Sequence, residues 1–124
     1  MSTINGLAGA AIGPGAGAGY RNGPIQKLVA TTAPAFSSYS AIANDYTILV
    51  DATTVAFGVV LPPAAQAGGR EYVIKKLDSA AHNVTVTDAL GANIEGSSSY
   101  AITAQYGTVK VQSDGVQWWI ISKI

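Results

Sequence analysis

The chain has 124 residues, no cysteine, one histidine, and seven basic against seven acidic side chains. This length allows one ordinary domain or a small domain with an arm, and the lack of cysteine excludes disulfides, thiolate nucleophiles and cysteine-based metal sites. A formal charge of zero gives no reason to expect nucleic acid or an anionic membrane as the main partner. Charged residues make up only 11% of the chain, against about 25% in an average soluble domain, so we expect much of the surface to face other protein.

The N-terminal third is rich in glycine and alanine and differs from the rest of the chain. Half of the 14 glycines lie between Gly6 and Gly23, and the first acidic residue is Asp45. Glycine and proline at this density disfavour a persistent helix or strand and interrupt any segment that could cross a bilayer. Residues 25–43 give only weak signs of short extended pieces. We therefore predict an extended Gly/Ala-rich arm over residues 1–43 and a β-module over residues 44–124.

Two interpretations of the arm remain open. It is either a flexible leader without a partner, which glycine-rich termini often are, or a docking arm that becomes ordered on another subunit. We expect docking, with Ile4, Leu7 and Ile12 as the apolar anchors. A secretory signal is not expected, because the first basic residue is Arg21 and no uninterrupted apolar core follows the initial Met.

Short strand-like runs follow one another at regular spacing from residue 46 onward. Residues 46–50 and 54–61 are rich in β-branched and apolar side chains, and two prolines end the second run. Residues 63–69 predict a loop with room for one helical turn. Further strands, several with alternating apolar and polar side chains, are predicted at residues 71–76, 84–87, 100–103, 108–112 and 116–122.

The last two strands are predicted to form a hairpin. Gly115 follows Asp114 between them, and glycine supplies the positive φ that tight hairpin loops require. Trp118 and Trp119 are neighbours in the second strand, so their side chains point to opposite faces of the sheet. One is expected in the core, and the other either in the core of a neighbouring subunit or on a surface that stacks against sugars. Residues 44–124 show no 3.6-residue period, and we predict an all-β fold.

A module of about 80 residues without a disulfide buries a modest share of its own surface. Residues 54–61 and 118–121 are apolar on both faces, which suits strands that are covered on both sides. Several chains wrapped around a common axis would provide that cover, and symmetric homo-oligomers are the usual form of soluble assemblies.

No catalytic or cofactor-binding constellation is found in the sequence. His82 is the only histidine, stands in a predicted turn, and has neither a G-x-S-x-G elbow nor cysteine ligands to accompany it. Gly13–Ala18 fits the loosest dinucleotide-loop pattern, but it neither follows a predicted strand nor opens a predicted helix. Most of the acidic residues are typical of turns and strand ends, which argues against paired-carboxylate glycoside hydrolysis. We therefore expect no enzyme activity, no cofactor and no metal.

A series of motifs resembles a known class of module. Residues 61–76 read LPPAAQAGGREYVIKK, residues 83–87 read NVTVT, residues 94–98 read IEGSS, residues 107–111 read GTVKV and residues 113–121 read SDGVQWWII. This pattern is similar to the small β-modules that recur in tailed-bacteriophage virion proteins, namely tail fibres, tailspikes and head-fibre or capsid decoration proteins. The resemblance covers residues 47–123, whereas the Gly/Ala-rich arm has no counterpart in the repeated module.

The resemblance implies a small β-sandwich or β-prism-like module that assembles as a trimer and carries no catalytic residues of its own. It implies turns at Gly96, Asp114 and Gly115, and a tryptophan that seals one end. It also implies a set of residues in the module core or in trimer packing: Leu61, Val73, Ile74, Val84, Val86, Ile94, Val109 and Trp118.

The expected function is that of a non-enzymatic virion structural protein, a homotrimeric capsid decoration, cement or head-fibre protein on the capsid exterior. The arm would grip the major capsid protein or another virion structural protein, and no nucleic acid or membrane partner is expected. The alternative is a tail-fibre or tailspike module that recognises a host-surface glycan, with Tyr100, Tyr106 and Trp119 as candidate contacts. The virus, the host and the strand order stay open at this point.

Overall fold

The computed structural model describes residues 23–124, and over this range the protein is almost entirely β-structure. These residues contain no α-helix, and a single 3-10 turn spans Ala64–Gln66, within the predicted loop. A helix long and apolar enough to cross a membrane is not found in this range. The prediction of an all-β fold is confirmed. The predicted arm anchors Ile4, Leu7 and Ile12 lie outside the described residues.

Eleven strands follow one another along the described chain. They are β1 (Ile25–Val29), β2 (Thr31–Thr32), β3 (Ala35–Phe36), β4 (Ser38–Ser40), β5 (Thr47–Asp51), β6 (Phe57–Leu61), β7 (Glu71–Lys76), β8 (Val84–Asp88), β9 (Tyr100–Ile102), β10 (Thr108–Ser113) and β11 (Trp118–Lys123). The seven strands predicted from residue 46 onward are all present, with bounds shifted by up to a few residues. The predicted final hairpin is the β10–β11 pair, and Gly115 in its loop has a φ of 92°.

The strands form two main sheets and one small hairpin. The five-stranded sheet has the order β11-β10-β7-β5-β1, the four-stranded sheet has the order β9-β8-β6-β4, and β2 pairs with β3. β1, β5 and β7 run parallel to one another, as do β4, β6 and β8, whereas the β7–β10, β10–β11 and β8–β9 pairs are antiparallel. Apart from the small β2–β3 hairpin, the chain alternates between the two sheets from β1 to β8, so it winds as a stack of coils that ends in antiparallel strands.

The β-module begins earlier in the chain than the sequence suggests. β1 lies along β5 with Ile25 opposite Thr47, and β4 lies along β6. Residues 25–43, assigned above to the arm, therefore contribute strands to the sheets, and the predicted boundary at residue 44 does not hold. The sequence signal is weak there because β1 and β4 are edge strands with one paired neighbour each, and their surroundings are rich in Ser, Thr and Ala.

The inward faces of the two main sheets share one hydrophobic core. In β6, Phe57, Val59 and Leu61 are buried, while the residues between them face outward and are half-buried. Val73 departs from its predicted place in the core, because it alternates with buried neighbours and lies half-buried on the outer face of the five-stranded sheet. The other residues that the resemblance implies for the core are all buried: Leu61, Ile74, Val84, Val86, Ile94, Val109 and Trp118.

The two adjacent tryptophans occupy opposite environments, which provides a direct test of the core. Trp118 is fully buried and packs edge-to-face on Tyr72, with the ring centroids 5.7 Å apart, whereas Trp119 is 41% exposed. Because Trp118→Ala leaves a large cavity, we predict that it lowers the free energy of unfolding by about 3–5 kcal/mol. Trp119→Ala, the matched control on the opposite face of the same strand, is expected to cost about 1 kcal/mol or less. Urea unfolding followed by circular dichroism measures both, and equal losses would contradict this assignment.

Candidate functional site

The seven acidic side chains of the protein all lie within the described residues, and each accepts a hydrogen bond from another group of the fold. Three of them are buried, and the other four are half-buried or exposed. They are Asp45, Asp51, Glu71, Asp78, Asp88, Glu95 and Asp114. These bonds organise turns, strand ends and contacts between the sheets. Each carboxylate therefore has a structural role in the fold.

Asp88, at the end of β8, connects the two main sheets. Its Oδ2 accepts hydrogen bonds from the Trp118 indole N–H at 2.9 Å and from the Ala64 backbone N–H at 2.8 Å. Its Oδ1 accepts the Leu90 backbone N–H at 2.7 Å. Burial by itself would raise the pKa of Asp88, but these donors stabilise the charged form more strongly and hold the pKa below its usual value.

A buried ion pair between Lys76 and Asp78 holds the segment that leaves β7. Lys76 Nζ donates to the Asp78 carboxylate and also to the backbone oxygens of Asp78 and Ala80. Asp78 Oδ1 accepts the Ala52 N–H at 2.7 Å. Desolvation alone would raise the pKa of Asp78, but the Lys76 ammonium and the Ala52 N–H bring it below its usual value. Complete pairing explains how a fully buried lysine is tolerated in the core.

His82 has a structural position beside this ion pair. The side chain belongs to the loop before β8, and its Nδ1 lies 3.0 Å from the Ala52 oxygen and 3.2 Å from the Thr53 oxygen. Two carbonyl acceptors at Nδ1 assign the hydrogen to that nitrogen. Within residues 23–124 the ring bonds to no carboxylate and no serine hydroxyl, so the partners that a catalytic triad needs do not surround it.

Asp45 bonds to side chains of both β1 and β4. Its carboxylate accepts the Tyr39 hydroxyl at 2.6 Å, the Ile42 N–H at 3.0 Å and the Gln26 amide at 3.3 Å. The hydrogen bond to Asp45 and then burial raise the pKa of Tyr39 to about 12, because ionisation would place two negative charges side by side. Gln26 lies in β1 and Tyr39 in β4, so Asp45 places both strands at the same end of the module.

The outer face of the five-stranded sheet carries the strongest candidate for a binding surface. Trp119 in β11 lies opposite Gln112 in β10, which in turn lies opposite Glu71 in β7. The Glu71 carboxylate is 3.4 Å from Lys110 Nζ, and both of these side chains are one-third exposed. The four residues, named the Trp119 row below, combine an aromatic ring, an amide and an exposed ion pair.

The Trp119 ring is held in position by the β10–β11 loop. Its indole N–H donates to Asp114 Oδ2 at 2.8 Å, and Asp114 Oδ1 accepts the backbone N–H groups of Val116 and Gln117. The Gln117 N–H, and next the Trp119 indole, lower the pKa of Asp114. A ring fixed in this way offers its apolar surface to a ligand, and the loop provides the polar partner that the indole requires.

The three candidate glycan contacts do not converge on one site. Tyr106 is 58% exposed beside Lys75, whose ammonium lies 5.6 Å from its ring centroid, at the other end of the same outer face. Gln112, opposite Trp119, and Thr108, two residues after Tyr106, are four positions apart in β10, which is roughly 13 Å along the strand. Tyr100 lies in the four-stranded sheet, half-buried, with Lys123 Nζ 5.7 Å from its ring centroid. Of the three, Trp119 is the one whose cross-strand row includes the Glu71–Lys110 ion pair.

The part of the chain that the structure describes has no enclosed site for a small molecule. No pocket opens on its surface, and no group of three or more His, Asp or Glu side chains in this range could hold a metal ion. A comparison of the sequence with models of known protein families and with curated proteins finds no match.

The buried carboxylates predict a loss of stability in acid. The pKa values of Asp78 and Asp88 are lower in the folded protein than in the unfolded chain, so the unfolded state binds more protons when the pH falls. Their contribution is complete above the unfolded pKa of about 4 and is lost as the pH falls through the folded values. We predict a nearly constant urea midpoint between about pH 5 and 7 and a decline below about pH 4.

Asp88→Asn tests this origin of the acid sensitivity. It is expected to cost about 1–3 kcal/mol at pH 7, because the amide group cannot accept all three hydrogen bonds. The decline between pH 5 and pH 3 should be smaller than in the unchanged protein, since one titrating group is gone. Asp51→Asn, in a surface turn, serves as the control that should keep the original decline. An Asp88→Asn profile parallel to that of the unchanged protein would contradict the role of this carboxylate.

Proposed function

We propose that this chain is a non-enzymatic structural protein of a virion, a capsid decoration, cement or head-fibre protein. Its two-layer β-sandwich assembles as a trimer, and its N-terminal residues attach it to the major capsid protein or to another virion protein. The sequence resemblance to phage β-modules suggests this class, and the distribution of side chains over the described surface supports it.

The observation that carries the proposal is the apolar character of the outside of the fold. Large hydrophobic side chains are normally exposed singly, amid abundant charge. In this chain only 11% of the residues are charged, and two of those charges form the buried Lys76–Asp78 pair. Nine large hydrophobic side chains are nevertheless exposed among the described residues: Ile25, Val29, Ile42, Leu90, Tyr106, Val116, Trp119, Ile121 and Ile124. Such a surface suits a protein that is permanently bound to other protein.

The outer face of the four-stranded sheet supports assembly into a trimer. Its strands present only small or uncharged side chains outward, so packing against another chain would desolvate no ion. Small side chains also allow the sheets of neighbouring chains to approach closely. The outward residues are Ser38, Ser40, Gly58, Val60, Thr85, Thr87 and Ala101.

A charge placed in the centre of this face should separate the chains. Light scattering combined with size-exclusion chromatography is expected to give three times the 12.6 kDa of the chain for the unchanged protein. Thr85→Glu is expected to give the mass of one chain, because assembly would bury an unpaired carboxylate. Thr108→Glu, a threonine on the outer face of the other sheet, is the matched control and should keep the trimer. A Thr85→Glu trimer, or an unchanged protein that is monomeric at micromolar concentration, argues against this assembly.

Attachment to particles tests the role of the N-terminal residues. Particles produced from the encoding viral genome without this gene are mixed with purified protein and sedimented. The full chain is expected to co-sediment in many copies distributed over the shell. A chain without residues 1–22, which keeps all of the described strands, should remain trimeric and β-rich but stay in the supernatant. Undiminished binding of the shortened chain would refute the anchoring role.

A second candidate function is recognition of a host-surface glycan by a tail module, and the Trp119 row favours it. A fixed indole ring beside an amide and an ion pair resembles the stacking and hydrogen-bonding groups that sugars require. The two candidates differ in location and in chemistry. A few copies on the tail, together with glycan-array binding that Trp119→Ala abolishes, would favour the second.

A further inference from the structure

The outer face of the five-stranded sheet carries a second exposed aromatic ring besides Trp119. Tyr106 precedes β10 and is 58% exposed, at the opposite end of this face from the Trp119 row. Its backbone has a φ of 62°, a conformation that glycine and asparagine adopt readily and a bulky residue adopts rarely. An exposed aromatic residue in a strained backbone conformation is typical of a ligand contact.

Contacts within the fold hold Tyr106 in this conformation. The Tyr106 N–H donates to the Lys76 oxygen at 2.7 Å, and the Tyr106 oxygen accepts a hydrogen bond from Lys75 Nζ at 3.1 Å. Lys75 Nζ also donates to Thr108 Oγ1 at 3.1 Å and lies 5.6 Å from the centroid of the Tyr106 ring. The aromatic ring and the ammonium group are therefore fixed side by side.

Two lysines lie between the two exposed rings. Lys75 pairs with Thr108 across β7 and β10, and Lys110 is two positions further along β10, so the two lysines are diagonal neighbours on one face. Such neighbours are roughly 7–8 Å apart. The surface named the Trp119–Tyr106 face below presents, over roughly 13 Å of strand, a ring, two ammonium groups and a second ring: Trp119, Lys110, Lys75 and Tyr106.

The lysine end of this face is rich in positively charged hydrogen-bond donors. Lys27 in β1 and Lys75 in β7 stand in one cross-strand row, with Leu49 of β5 between them. Asp51 is two positions after Leu49, and its carboxylate accepts the backbone N–H and the hydroxyl of Thr53 in the following turn. This end of the face therefore favours an anionic group of a ligand.

The Trp119 end is rich in hydrogen-bond acceptors instead. Glu71 lies in this row, and the Asp114 carboxylate is bonded to the indole N–H of Trp119. Gln112 donates its amide N–H to the Gly69 oxygen at 3.1 Å, which leaves its amide oxygen as an acceptor. Carboxylate and amide oxygens accept hydrogen bonds from hydroxyl groups, so this end favours a neutral, hydroxyl-rich group.

A saccharide is the occupant that these groups fit. β7 and β10 each have a paired strand on both sides, so their backbone groups bond within the sheet and the side chains remain for a ligand. A peptide that adds to a sheet needs a free edge, and a single-stranded nucleic acid needs a continuous basic groove. A sugar chain needs neither, because its ring faces pack on aromatic rings and its polar groups bond to side chains.

We propose that the Trp119–Tyr106 face binds an acidic oligosaccharide, with a neutral sugar on Trp119 and a carboxylate-bearing sugar beside Lys75 and Tyr106. The two rings are too far apart for a single sugar to contact both, so the ligand is a chain of several units. This site rests on the second candidate function, glycan recognition, and adds to it the chemical class and the direction of the ligand.

Binding of paired probes to the full chain tests the role of the carboxylate. Short galacturonate and sialate oligosaccharides are compared by calorimetry with the same compounds after methyl esterification, which removes the charge and keeps the sugar. The protein is expected to bind at least one acidic probe about three- to tenfold more tightly than its ester. The difference should shrink as salt is added, because the lysines are exposed to solvent.

Two variants and a matched control locate the site. Lys75→Gln is expected to remove most of the preference for the acidic probe and to change the affinity for its ester by less than about twofold. Tyr106→Asn should weaken both forms by about threefold or more without lowering the urea midpoint, because asparagine adopts a positive φ more easily than tyrosine. Lys123→Gln should change neither affinity, although Lys123 Nζ also lies near a tyrosine ring, 5.7 Å from the centroid of Tyr100.

The outcomes separate this site from glycan recognition in general. Equal affinity for the acidic and esterified probes would overturn the proposal and leave the second candidate function in place. An equal loss of both affinities in Lys75→Gln would overturn it too, because the lysine would then act only on the structure of the face. Equally tight binding of a glutamate peptide would show unselective attraction of anions, with the same consequence. Absence of binding to every saccharide would refute both this proposal and the second candidate function.

Discussion

The arrangement of the two sheets depends on the hydrogen bonds that the buried carboxylate of Asp88 accepts. It ends β8 in one sheet and accepts the indole N–H of Trp118 from the other, while it also bonds to Ala64 in the loop between β6 and β7. A neutral side chain of similar size could not accept all of these donors, and the donors would remain buried without partners. The same contact places Trp118 in the core and, by alternation along β11, directs Trp119 outward.

Parallel pairing has a consequence for the ends of the molecule. A stack of coils has two free edges at each end, and each pair of edges must be covered, charged or bonded. At the β11 edge the Asn93–Glu95 segment does this, because Asn93 and Glu95 bond to the backbone of Trp118.

Charged and apolar side chains are distributed unusually in this fold, because several carboxylates are buried and several large apolar side chains are exposed. Carboxylates that sequence patterns leave available for catalysis bind backbone N–H groups, lysines or tryptophans of the same chain. Several large apolar side chains are exposed, and the outer face of the four-stranded sheet carries no charged side chain. The proposed contact with other protein would explain these features together. In the Trp119 row an aromatic ring, an amide and an ion pair lie on the outer face of the five-stranded sheet.

Alternation and turn chemistry are local properties, and for that reason the sequence alone predicted the all-β class, the strands from residue 46 onward, the final hairpin and the division between Trp118 and Trp119. The core residues implied by the resemblance also lie inside, apart from Val73, whose place follows from alternation with Tyr72 and Ile74. The tertiary structure alone decided that residues 25–43 belong to the sheets, because edge strands pair on one side and need little apolar patterning. It also decided which candidate aromatics share a face and that Asp114 orients Trp119. Those relations join strands distant in sequence, and spacing along a single chain does not encode which strands become neighbours.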